Sequence, residues 1–215
     1  MDEKKAFQAL PILDHFADEV VKLAEKVLTD VRCNAASDHF GFMAFCFLSE
    51  QVGYLRAIRE LIPSGLGRPA GLIARTMVEG LALLHWAKVD PERPLRWREY
   101  AVVADYRKML RDMKEGRGVD PKQEEQVKVA AQKFDGQFLT KKAKEAKAAG
   151  KPLPRDPYVR SWHDPLSVAA IFEWVEGAKK PLYDHIYRAE SEKTHWSIAA
   201  LGQNLHHTPG GMAYA

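Results

Sequence analysis

Between Arg68 and Lys88 the chain carries only two permanently charged residues, Arg75 and Glu79, and this stretch constrains the fold more than any other. At about 100° per residue, RPAGLIARTMVEGLALLHWAK is apolar on most sides, with the two charges four positions apart on one face. A helix hydrophobic all round is covered by other elements. Charges inside such a helix persist only when paired, so Arg75 and Glu79 are expected to form a buried ion pair. That pair can be purely structural, or it can be one wall of a polar site.

A second stretch answers it. From Pro181 to Leu205 the chain reads PLYDHIYRAESEKTHWSIAALGQNL. On a helical wheel Tyr183, Tyr187, Thr194, Ile198, Leu201 and Leu205 form one stripe, expected to be buried. Ser191 and His195 border it, and Arg188 lies further out. Tyr183, Tyr187, Ser191 and His195 make an i, i+4 ladder of hydrogen-bonding groups. Each can be an ordinary packed or satisfied side chain. As a group they form a candidate site with Arg75 and Glu79, with Arg188 at its rim.

The rest of the chain reads as helices too. Lys4 to Leu28 places Phe7, Leu10, Phe16, Val20, Leu23 and Val27 at helical spacing as the expected inner face, with Pro11 early in the helix. Ser37 or Asp38 can cap a second helix that runs to Ile62 and stops at Pro63-Ser64-Gly65. Pro69 suits the first position of the third helix. A fourth starts near Pro91, with Trp97, Tyr100, Val103, Tyr106 and Leu110 inward, and ends at Gly116–Gly118. Pro121 to Ala149 is expected to be one long charged helix with a thin seam of Val127, Ala130, Phe134 and Phe138. Gly150 to Asp164, with three prolines, is irregular and reads as a crossover or a lid. Pro165 to Glu176 is a short apolar helix. No strand-period alternation is visible. The expected architecture is all-α, a single helical domain of about seven helices, with an N-terminal helix over 1–35, a bundle core over 36–205 and a flexible Gly- and Pro-marked tail over 206–215.

Composition excludes several classes. A net charge of +3 over 215 residues does not by itself argue for nucleic acid. Cys33 and Cys46 lack metal-ligand spacing and read as reduced thiols. MDEKKAFQAL has no apolar signal core, and no long uncharged apolar run exists, so a cytoplasmic protein without membrane association is expected. Nucleophile, P-loop, dinucleotide and zinc-ligand patterns are absent, and no cofactor is implied.

ARTMVEGLALLHWA, together with YDHIYRAESEKTHW after a short apolar helix, resembles a bacterial family known as domain of unknown function 5677. The resemblance covers roughly residues 40 to 205. It implies a helical bundle with an Arg-x-x-x-Glu pair, here Arg75 and Glu79, and a later ladder, here Tyr187, Ser191 and His195. It implies no activity.

Three functions fit these residues. Arg188 and His195, with six residues between them, are similar to the Arg/His motif of HEPN-type metal-independent ribonucleases, although a polar residue usually follows that Arg and here Ala189 does. In that chemistry the His is the general acid/base and the Arg stabilises phosphate charge. RNA would be held by Lys141, Lys142, Lys144, Lys147, Lys151 and Arg155, and a homodimer would be expected. Glu192 and His195 form one Glu-x-x-His unit of a di-iron bundle, which needs two such units. The third reading, a binding or interaction module with a buried polar network, needs no turnover.

Overall fold

The computed structural model describes residues 3–188, 205–208 and 211–214, with side chains described from 11 to 188. Its elements in chain order are α1 (Glu3–Asp30), α2 (His39–Leu61), α3 (Gly67–Lys88), α4 (Glu92–Glu99), α5 (Ala101–Lys114), α6 (Pro121–Gln132), α7 (Asp135–Phe138), α8 (Lys141–Ala148) and α9 (Val168–Glu176). A π-helix (Tyr183–Arg188) and two short strands, β1 (Leu205–Thr208) and β2 (Gly211–Tyr214), follow. The fold is all-α, with nine α-helices among the described residues where about seven were expected. Two compact units are present, Met1–Val89 with Val168–Ala215, and Asp90–Ser167.

In the first unit Asp38 caps α2, its carboxylate accepting the Gly41 amide at 2.7 Å. Met43 of α2 is fully buried. At the α2–α3 crossing Gly80 lets the neighbouring side chains come close: a Cβ there would lie 2.9 Å from Gln51 Nε2 and 3.1 Å from the Phe47 ring. α1 packs on α2 through Val21, Ala24 and Leu28 against Leu48, Val52 and Leu55. This corrects the expected inner face of α1, because Phe16 and Leu23 are each 65% exposed and Val20 and Val27 are also open. The rotation of α1 follows its charges. Arg59 of α2 bonds Asp14 at 2.7 Å and Asp18 at 3.3 Å, and Arg56 bonds Glu25. Those acids share a face with Val21 and Leu28, so that face meets α2.

The tail also departs from expectation. Where flexible chain was expected, β1 and β2 pair antiparallel, with Leu205 opposite Tyr214 and Thr208 opposite Gly211.

In the second unit the two long helices expected after Pro91 are each interrupted. At Tyr100 the hydrogen bonding tightens locally to an i+3 pattern, Val103 N to Tyr100 O at 3.0 Å, which separates α4 from α5. The helix expected over Pro121–Ala149 breaks twice, around Phe134 and at the extended Leu139, before Thr140 caps α8. The breaks turn Phe138 and Leu139 into a core with Val103, Ala131, Ala143, Tyr158 and Val159. A continuous amphipathic helix could not bury adjacent residues on both sides in this way. The 150–164 segment is a crossover fastened across this core. Its Val159 amide donates to Phe138 O at 2.8 Å, and the Thr140 amide donates to Pro157 O at 2.9 Å.

Candidate functional site

The first-unit site begins at a tight reversal. Gly177 (φ +77°) and Lys180 (φ +34°) take left-handed conformations, which lets the chain fold back from α9 into the next helix. Pro181 then opens that helix with a ring already set for helical φ. Its exposed first amides are satisfied from α9: Glu176 accepts the Leu182 N–H at 3.2 Å and the Tyr183 N–H at 3.3 Å.

The π-helix sets the tyrosines. Tyr183 and Tyr187 stack at 5.3 Å between ring centroids, and both rest on buried Phe172 at 5.4 and 5.6 Å. A cation flanks each tyrosine. Lys180 Nζ lies 4.8 Å over the Tyr183 ring, and the Arg75 guanidinium lies 4.6 Å over that of Tyr187. Arg75 Nη2 also donates to the Tyr187 hydroxyl at 3.3 Å. Arg75 Nε is buried without an acceptor among the described residues.

Of the candidate site residues, the structure brings Arg75 and Tyr187 together. The rest of that site is a different matter. Arg75 and Glu79, both half-buried, form no ion pair among the described residues, which corrects the expectation of a charge pair inside α3. Arg75 instead turns toward the aromatic stack. Arg188 is exposed at the end of the π-helix. Ser191 and His195 lie outside the described residues, as does Glu192 of the di-iron pattern. Among the described residues no group of three or more His, Cys, Asp or Glu is placed to hold a metal ion.

Beside the stack an open cleft of about 500 Å³ is lined by Phe40 of α2, Val78 and Leu81 of α3, Phe172 and Val175 of α9, and Leu182. Its polar lining is His85, Lys88 and Glu176. Glu176 is committed to the two helix-start amides, which leaves Lys88 as the exposed cation on this rim. The volume lies within the range of small-molecule sites, and the lining has their usual character, apolar with a few polar groups.

Sequence reasoning missed two networks in the second unit. Arg107 forks onto Asp156 at 3.0 and 3.3 Å, donates to the carbonyls of Tyr158 and Val159 at 2.9 and 3.0 Å, and donates to the Tyr100 hydroxyl at 2.7 Å. Burial pulls against its charge, and Asp156 and Tyr100 together outweigh it, holding its pKa above the ordinary value. Nearby, buried Asp135 accepts from Lys147 Nζ at 2.7 Å and from the Tyr158 hydroxyl at 3.0 Å. Burial, and then the bond to Asp135, push the Tyr158 hydroxyl well above the usual tyrosine range. A signal for Arg107 was present, because it follows Tyr100 and Val103 at i+7 and i+4 on the inward stripe. Asp135 and Tyr158 are remote in sequence and gave none. Lys147, one of six cations considered for RNA, is thereby a structural partner. Lys141, Lys142, Lys144, Lys151 and Arg155 are exposed.

Residues 41–212 match the model of a family described as Family of unknown function (DUF5677), so the chain belongs to that family. The span agrees with the stretch on which the resemblance was read. No curated protein and no solved structure matches the chain.

Proposed function

We propose that this member of DUF5677 is a binding module whose site is the cleft between α3 and α9. The ligand class is a small, largely apolar molecule ending in an anionic group. The observation that carries this reading is the cleft itself, about 500 Å³ of mostly apolar lining with Lys88 on its rim. An apolar body would gain on the order of 25 cal/mol for each Å² it removes from water there. A carboxylate would be drawn to Lys88. Arg75 and Tyr187 are positioning residues in this reading, since they hold the tyrosine stack against Phe172 and so shape the cleft wall.

The test is titration calorimetry with decanoate and decanol as probes. Saturable binding of decanoate is expected, weakened several-fold by Lys88→Ala, while decanol is indifferent to that change. Leu81→Trp, a change at an exposed position, should block both. No saturable binding of either probe overturns the reading. RNA cleavage in the presence of chelator, lost in folded Arg188→Ala and His195→Ala, would replace it with a ribonuclease that uses Arg188 and His195 and holds RNA on the exposed cations between Lys141 and Arg155.

A further inference from the structure

α1 is apolar on two faces, and its own unit covers one. On the uncovered side Leu13, Phe16, Val20, Leu23 and Val27 follow one another at intervals of three, four, three and four residues, the spacing of a coiled-coil seam. All five are exposed. The covered face cannot roll to hide them, because Asp14, Asp18 and Glu25 tie it to Arg59 and Arg56 of α2.

We propose that this stripe is a dimerisation seam, and that its occupant is α1 of a second copy of the chain, running antiparallel. Charge selects that partner and its orientation. On the flank of the seam away from α2, Glu19 and Lys26 occupy the same heptad position, seven residues apart. In a two-fold antiparallel pair, Val20 of one copy packs beside Leu23 of the other, and Phe16 beside Val27. That register brings Glu19 of each copy to Lys26 of the other, twice by symmetry. A parallel pair would set Glu19 and Lys26 against Ala24 and Val31 of the second copy and gain no ion pair. The stripe is thus complementary to itself in one orientation.

Glu19 also accepts from Lys22 on its own helix at 2.9 Å, an exposed contact of small energetic weight that can be exchanged. With Ile12 and Val31 at its ends, the exposed stripe amounts to roughly 600 Å² per protomer, taking ~150–200 Å² for a large apolar residue in the open. That approaches the ~800 Å² per partner of a standard stable interface, so a concentration-dependent dimer is expected. The inference is independent of the cleft and its ligand.

The experiment is sedimentation velocity on the full chain over a concentration series, with circular dichroism confirming the fold of each variant. A monomer–dimer equilibrium is expected for wild type, with Leu23→Glu monomeric throughout and equally helical. Glu19→Lys and Lys26→Glu should each weaken the dimer about tenfold or more, by setting like charges opposite one another. Mixing those two variants should restore it, because each then supplies what the other lacks. A wild-type chain that stays monomeric at every concentration overturns the proposal. So does a dimer indifferent to Leu23→Glu, or a mixture that fails to recover.

Discussion

Replacing Arg107 with alanine should release the 150–164 crossover from the core of the second unit. The structure sets the magnitude. Asp156 is nearly half exposed, so its carboxylate regains water when the guanidinium leaves, and that bidentate contact contributes little net. The Val159 carbonyl keeps the Tyr100 hydroxyl at 2.8 Å. The carbonyl of buried Tyr158 loses the guanidinium that bonded it at 2.9 Å, and an unsatisfied buried acceptor costs about 1–3 kcal/mol. With the packing of the alkyl stem, a total near 2–3 kcal/mol is expected. Native-state hydrogen exchange reads this directly at the Thr140 and Val159 amides, which close the crossover onto α7. Both should exchange roughly 30- to 150-fold faster than in wild type. Arg107→Lys should recover less than half of the loss, because an ammonium cannot fork onto a carboxylate and two carbonyls together. Exchange within threefold of wild type at both amides would show that the apolar core alone holds the crossover, and the reasoning would fail.

Two further outcomes follow from the same geometry. A buried Arg75–Glu79 ion pair would make Arg75→Ala strand the Glu79 carboxylate. Since no such pair forms, the substitution should cost only about 1–2 kcal/mol, the worth of one cation–aromatic contact and a long hydrogen bond. A loss above 4 kcal/mol in urea unfolding would restore the ion pair. The raised pKa of Tyr158 favours the protonated hydroxyl in the folded state. Its contribution is therefore complete below the unfolded value of about 10 and falls as pH rises beyond it. Tyr158→Phe should unfold with a shallower loss of stability above pH ~10 than wild type; equal slopes would refute the assignment.

The helical period carried most of the fold and little of the site, and α1 and α3 show why. Apolar spacing says that a helix is covered, but an α-helix with apolar residues on two faces does not say by what. In α1 the choice fell to Asp14, Asp18 and Glu25, whose partners sit 31 to 45 residues away on α2 and are invisible to a wheel drawn on one helix. In α3 the i, i+4 rule correctly put Arg75 and Glu79 on one side. It assumed, however, that the nearest opposite charge is the partner. A guanidinium also satisfies itself on an aromatic face, and Tyr183 and Tyr187, brought into one stack by the π-helix, offered that face from more than 100 residues away. The family segments were legible for the same reason that their chemistry was not. Arg75 and Tyr187 do meet, on an aromatic stack that rests against Phe172, and the cleft beside that stack is lined mainly by leucine, valine and phenylalanine, residues that a search for reactive side chains passes over.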